Sequence, residues 1–543
     1  MASYLGAFPF PKDAPAVLSF DEMVILVVIM TERYSKVLKN GTKNRNQLFY
    51  RSLSVYDRRG SADGANDKEA PSEKKAGAET TTLPERFAVD APANDNYDNG
   101  EDDEEDDDGL ALAALESLDA IDVFKHSDAP PLSHTAVPSE HMHKLITLLL
   151  LIAPLEPQQS LSEFNDQLTG DKLDRLRTTA NAVLQSFLRG QNSKEIKVHH
   201  WNLVIPADMP FLFNGFNALF EHFLFSKNLD FTKHKDNREN ADSIPSVPSS
   251  PIKKPPPVPD LLEQEGEILD RAMLSQLSFF IPGSSIFRRL RLLYSGGDAG
   301  FSMRSFETKV FNWRAPSILL VSGTRISATE PSNGPERAFE DTLPPRRFPQ
   351  SSDKSERVVF GVYVAQPWKQ TYKECMGDAD TVLFQLEPTH EVFRASNINT
   401  NYISFTKPPI NHTGINIGSA HPKANQSAGL ATHVNLGPVS LYLDDSFEFG
   451  VFTHNYSAGG GAFHSSETRK RDWQDRFEIE SLEVWGCGGS EEAEEQRKRW
   501  AWEEREAEAR RRINIGKGDI EADRALLEMA GIIGANRSGG SMS

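Results

Sequence analysis

The 543-residue chain has only two cysteines, Cys375 and Cys487, too few for a disulfide framework or a cysteine-rich zinc module. That usage fits a reducing compartment, where the Asn-x-Ser/Thr triplets at Asn40, Asn411, Asn425, Asn455 and Asn536 read as chance matches. Long apolar runs are missing too. Met23–Met30 and Leu145–Ala153 are the longest, about half of the ~18 residues that a membrane-spanning helix needs. Asp21 and Glu22 precede the first run, so it lacks the basic start of a signal peptide. Residue 2 is Ala, where an amino-terminal lipid anchor requires glycine. The expectation is a soluble, cytoplasmic protein. A basic face is also absent: Lys and Arg number 59 against 78 Asp and Glu, a formal charge of −19, of which residues 61–108 carry −13. Gripping DNA or RNA by its phosphates needs a concentrated basic face, so direct nucleic-acid binding is not expected. Apolar residues make up 38%, and 33 prolines with 36 glycines point to substantial unfolded connections between folded parts.

What is present divides the chain into six stretches. Residues 1–57 are read as the first part of a helical domain. Ser19 and Glu22 form a capping box, the helix is expected to run from Phe20 to Leu38, and Asn40-Gly41 supplies its stop. Val24–Met30 is apolar all round and should be enclosed by other helices. Residues 58–137 are an acidic insertion whose stretch 61–108 ends in eight consecutive acids, Glu101 to Asp108, and self-repulsion keeps such a tract disordered. It reads as a solubilising linker, with a docking tail for a basic partner as the alternative. Residues 138–231 resume the helical domain. Helices are expected over His141–Leu151 and Asp171–Leu188, where Leu173, Leu176, Ala180, Val183, Leu184 and Phe187 recur at steps of three and four. The aromatic stretch Trp201–Phe225 reads as core.

Residues 232–259, rich in proline and serine, form an extended linker, or less plainly a ligand for an SH3-type module. Residues 260–489 open with an amphipathic helix, Leu261–Leu277, and then change texture. Ser317–Val321, Val358–Val364, Thr381–Leu386, Tyr402–Phe405, Gly414–Ile417, Val439–Leu443 and Phe477–Trp485 are short apolar runs between turn residues, which argues for an antiparallel architecture of two stacked sheets. In the last run Phe477 and Ile479 share a parity that Leu482 and Val484 break, placing a bulge near Ser481. Residues 324–356 read as a surface loop. Residues 490–543 hold a charged helix, Glu491–Arg512, on which Trp500 and Trp502 are candidate partner-binding residues, and a second helix, Asp519–Ile533.

Several segments of the strand-rich part resemble the TLDc family in order. Arg291–Tyr294 followed by Gly297–Ser302 is similar to its opening strand and turn, although Ala299 intervenes where the family has Asp followed directly by Gly. Val359–Tyr363, Gly377–Phe384, Leu441–Asp444 and Leu482–Gly486 match further family segments, so the likeness spans about 283–488. It implies an α+β fold, a TLDc-type antiparallel β-sandwich flanked by helices, here preceded by an α-helical domain. Ser3–Phe10 and Leu53–Arg58 resemble a fungal group of that family named for a telomere-capping phenotype. In that group the sequence extends further upstream, so part of the Met23–Met30 helix is expected to lie exposed here.

The resemblance implies a non-enzymatic protein that binds other proteins, regulates assembly of the vacuolar proton-ATPase through its peripheral sector, supports oxidative-stress resistance, associates peripherally with the vacuole, and affects telomere capping indirectly. The Glu491–Arg512 helix would be the grip, lying in a partner's groove. No cofactor, metal or catalytic residue is expected. Gly459–Gly461 with Ser465 lacks the strand context of a nucleophile elbow, and Ser295–Gly300 lacks the Lys-Ser/Thr of a phosphate loop. His141 and His143 are two apart, the wrong spacing for one helical face, and His199-His200 is read as preceding a strand. Asp298, Asp378, Asp380, Asp444 and Glu483 occupy the family's motif positions. Turn capping and strand-end hydrogen bonding is their plain reading, and acid–base catalysis by a hydrolase or antioxidant enzyme the alternative. Cys375 and Cys487 would sense oxidants only with a depressed pKa, and neither has a basic neighbour nearer in sequence than Lys373. A telomere or chromatin factor is the remaining alternative.

Overall fold

The computed structural model describes residues 1–2, 5, 17–33, 41–56, 135–156, 159–188, 194–225, 260–326, 334–351, 356–408, 410, 412–422 and 433–488, with 492, 494, 497, 498, 501, 502 and 505 beyond them. The acidic tract, the Pro/Ser-rich run, Trp500 and Asp519–Ile533 lie outside the described residues.

Helix α1 (Phe20–Met30) begins at the expected capping box: Ser19 Oγ accepts from the Glu22 N–H, and Glu22 Oε2 accepts from the Ser19 N–H at 2.5 Å. It ends eight residues sooner than expected. Arg45, buried, donates to the Met30 carbonyl oxygen at 2.7 Å and pairs with Glu32, whose φ of 53° turns the chain away. A cation at a helix C-terminus satisfies its orphan carbonyls. Gly41, expected to stop this helix, instead opens α2 (Gly41–Leu53). Leu26, Val27, Ile29 and Met30 are buried, while Phe20, Met23 and Val24 are exposed.

Strands β1 (Val55–Tyr56), β2 (Thr135–Pro138) and β3 (Glu195–Lys197) form a small antiparallel sheet that closes the 78-residue gap between Tyr56 and Thr135. Helices α3 (Ser139–Ile152), α4 (Gly170–Leu188), α5 (Val198–Asp208) and α6 (Asn214–Phe225) surround one aromatic core. Phe49 meets Phe213 edge-on at 4.7 Å, and Trp201 lies against Tyr50 at 5.6 Å and Phe213 at 5.8 Å. His199 and His200 lie in the first turn of α5, after a strand rather than before one.

Helix α7 is Arg271–Leu277, so the expected helix from Leu261 forms only in its last seven residues. Then come β4 (Leu290–Ser295), α8 (Met303–Val310), β5 (Ser317–Arg325), α9 (Pro335–Thr342), β6 (Arg357–Val364), β7 (Val382–Glu387), β8 (Glu391–Arg394), β9 (Ile403–Thr406), β10 (Gly414–Ile417), β11 (Val439–Asp444), β12 (Phe449–His454) and β13 (Trp473–Cys487). The order is β8-β7-β6-β5-β13-β12-β11-β10-β9, with β4 also on β13. All of these pairings are antiparallel.

The two layers are the halves of one hydrogen-bonded sheet rather than two separate sheets. Strand β13 joins them: its first part pairs with β12, and its later part pairs with β5 and β4. Its register shifts between Ile479 and Ser481, at the expected bulge. Opposite this point a Cβ on Gly323 would stand 2.0 Å from the Glu478 carbonyl oxygen, so only glycine allows the close approach. The halves then face each other. Phe360 of β6 stacks on Phe452 of β12 at 4.5 Å, and Phe393 of β8 reaches Phe452 at 5.4 Å.

Alternation explains the unbroken apolar runs. Leu319 and Val321 face the space between the halves, whereas Ile318 and Leu320 face Leu274, Leu277 and Phe280 of the helical cover. Buried on both faces, such strands need apolar residues at every position. On the far half, α9 packs Phe339 onto Tyr442, Phe449 and Val451, with Leu343 beside it. Part of the expected surface loop, residues 324–356, is therefore a covering element.

Candidate functional site

The five acids at family motif positions are held by internal bonds or stand apart. Glu483 on β13, 1% exposed, accepts from the N–H groups of Glu267 (2.5 Å), Ile268 (2.9 Å) and Leu269 (3.2 Å) and from the Trp485 indole (2.8 Å). Residues 266–269 wrap this carboxylate so closely that a Cβ on Gly266 would lie 2.5 Å from it. This wrapping is why no helix forms before Asp270, which caps α7. Asp378 accepts from the Asp380 N–H at 3.1 Å in the turn before β7. Asp444 accepts from the Phe449 N–H at 2.9 Å and from Ser446, and burial raises its pKa. Asp298 is exposed on a one-turn helix capped by Ser295.

The other candidates behave similarly. Burial pushes the thiol of Cys375 up to about 11 and that of Cys487 to about 12, away from the thiolate form that oxidants attack. His143 Nε2 lies 3.2 Å from the Arg177 carbonyl oxygen, and His141 is exposed. Among the described residues no His, Cys, Asp and Glu gather into a group able to hold a metal.

A polar seam where the β-body meets the helical part had no sequence signal. His390, in the β7–β8 turn, donates its backbone N–H to the Ala182 carbonyl at 3.0 Å, and its own carbonyl accepts from Ser186. Its ring lies 3.2 Å from Gln276 Nε2 and 3.1 Å from the Asp208 carbonyl oxygen. Burial lowers its pKa to about 4, so the ring is neutral. Asp208 closes α5 and accepts from the Val392 N–H at 3.3 Å, while its Oδ2 has no hydrogen-bond partner among the described residues. Burial first, then the neighbouring Glu391, raises its pKa well above the usual carboxylate range. Beside the seam Glu391 is buried against Arg469 at 3.0 Å, and Arg469 lies over the Trp473 ring at 4.6 Å. The partners are far apart in sequence, so neither spacing nor composition brings them together.

Beyond β13 the described residues 492, 494, 497, 498, 501, 502 and 505 are helical, and Lys498 pairs with Glu494 at 3.0 Å in an i,i+4 step. Trp502 is 59% exposed.

A doubled antiparallel sheet under a helical cover, with its motif acids mostly tied to backbone, defines a TLDc-domain protein, and residues 262–488 match the TLDc domain. The match starts earlier than the likeness read from motifs because it includes the segment wrapped around Glu483. The chain is 53% identical over 544 residues to restriction of telomere capping protein 5 of Colletotrichum graminicola, covering all of this chain and 87% of that one. It is 53% identical to the protein of that name from Fusarium vanettenii and 47% identical to that from Neurospora crassa, with the same coverage. The chain belongs to this family of TLDc-domain proteins named restriction of telomere capping protein 5.

Proposed function

We propose that the chain is a non-enzymatic regulator that works by binding other proteins. The observation that carries this reading is the contrast between Glu483, a motif acid fully engaged by four N–H donors, and Trp502, an exposed indole on a charged helix. A carboxylate so engaged has no oxygen positioned to take a proton from a substrate. The partner is the peripheral sector of the vacuolar proton-ATPase, whose assembly the chain regulates from the cytoplasm in peripheral association with the vacuole. Oxidative-stress resistance and the telomere-capping effect for which the relatives are named follow indirectly. A net charge of −19 supports the indirect route, since direct capping requires contact with DNA phosphates.

The test is a pull-down of the pump's peripheral sector by wild-type protein and by a Trp500→Ala, Trp502→Ala variant. Wild type should recover the sector and the variant should not. Equal recovery removes the helix as the grip, and no recovery by wild type removes the pump as the partner.

A further inference from the structure

The helical part, up to Phe225, and the β-body, from Asp260, are continuous in the chain only through residues 226–259. Their apolar cores scarcely mix. Among the described residues no core of the β-body contains a residue of the helical part, and only Ala272 and Phe279 pass the other way. What lies between the two is polar. Helix α4 turns Leu176, Ala180, Val183 and Phe187 into the helical core, while Arg175, Thr179, Ala182 and Ser186 recur at steps of three and four along another side. This second stripe meets α7 and the β7–β8 turn: Arg175 pairs with Asp270 at 2.9 Å, the Ala182 carbonyl accepts from the His390 N–H, and Ser186 donates to the His390 carbonyl. The seam is also incompletely bonded. Thr179 Oγ1 on α4, Asp208 Oδ2 on α5 and Gln276 Oε1 on α7 are all buried without a hydrogen-bond partner among the described residues. A buried polar atom left unpaired penalises the closed arrangement and regains its bond in water.

We propose that this seam is a latch, along which the helical part and the β-body separate while each stays folded. Polar contacts between bodies with their own cores give way before those cores do. Opening hydrates the three unpaired atoms and uncovers Ala272 and Phe279, and a connection as long as 226–259 does not hold the bodies together. The latch gives the chain a second conformation for a binding partner to capture. The inference stands apart from the pump reading, since it concerns an equilibrium of the chain by itself.

Hydrogen exchange on the full chain, followed by mass spectrometry, tests this. The amides of His390, Val392 and Phe211 donate across the seam. Peptides covering 388–393 and 208–213 should therefore exchange through an opening at least about tenfold more populated than that of 317–325 in β5 and 143–150 in α3, and with a weaker dependence on added urea. Thr179→Val removes an unpaired oxygen from a third element at nearly constant shape, and should slow both seam peptides by at least about fivefold. Arg175→Ala breaks the rim pairs to Asp270 and Glu387 and should speed both. Seam peptides that exchange only together with β5, or that respond to neither substitution, would overturn the proposal. So would slowing of 388–393 without 208–213, which is the fraying of one turn rather than the parting of two bodies.

Discussion

Replacing Asp208 by asparagine isolates one titration at the seam. The carboxyl is fully enclosed, its Oδ2 is unpartnered among the described residues, and Glu391 adds a like charge, while the Val392 N–H and Arg394 oppose only part of the rise in pKa. The folded protein therefore holds this proton to higher pH than the unfolded chain, whose aspartates release it near 3.9. Stability contributed by Asp208 is fully present below that value and falls by about 1.4 kcal/mol per pH unit until the folded-state pKa is passed. His390 acts in the opposite sense. Its folded pKa of about 4 lies below its unfolded value of 6.5, so protonation favours the unfolded chain and stability rises by about 3 kcal/mol between those two pH values. In the wild type the two slopes oppose each other from about pH 4 up to the folded-state pKa of Asp208. With Asp208→Asn only the histidine slope remains. Urea unfolding at pH 4.5, 5.5, 6.5 and 7.5 should show the variant gaining on wild type as pH rises, by up to about 1.4 kcal/mol per unit for as long as Asp208 stays protonated in the folded state. Every other titrating group is common to both proteins and cancels in the difference. Parallel stability curves would refute the reasoning, because they would mean that Asp208 ionises in the folded state as readily as in the unfolded one.

Other expectations follow from the same structure. Glu483→Ala leaves three backbone N–H groups and an indole without their acceptor and should cost at least about 3 kcal/mol in urea unfolding, whereas an enzymatic role would show lost activity at unchanged stability. Phe452→Ala empties the contact between the two sheet halves and should cost about 3–5 kcal/mol, seen as a lower denaturation midpoint. Arg469→Ala strands Glu391 in the interior at a cost of about 3–5 kcal/mol, and Glu391→Gln in the same chain should recover part of it. Because burial raises both thiols, iodoacetamide at pH 7 should label Cys375 and Cys487 in the native protein far more slowly than in the denatured chain, as mass spectrometry would report.

The legible parts of the fold were those with local causes. Alternating or continuous apolar runs marked β5, β6, β7, β9, β10, β11 and β13, and the parity break at Ser481 located the bulge because side-chain direction along a strand has period two. Strands β8 and β12 were not read. Glu391–Arg394 is short and half charged, and the Glu391 carboxylate is paired inside the protein where no local pattern signals it. Helix ends were misplaced where the terminating partner is distant, as with Arg45 on Met30 and Glu483 on residues 267–269. The motif acids were legible as turn and strand-end acceptors, the reading that fits Asp378 and Asp444, whereas Glu483 lies within β13 and accepts from a segment distant in sequence. The seam was invisible for a different reason: Asp208, Gln276 and His390 are ordinary residues until the fold surrounds them.

The placement of β13 bears on how such a chain is made. Residues 317–325 and 449–454, which flank it on opposite sides, are both synthesised before it. Until Cys487 has left the ribosome, each layer waits with an open edge and no neighbour, a state prone to wrong pairing. A nascent polypeptide halted just short of Trp473 should bind holding chaperones, and one released past Gly488 should let them go.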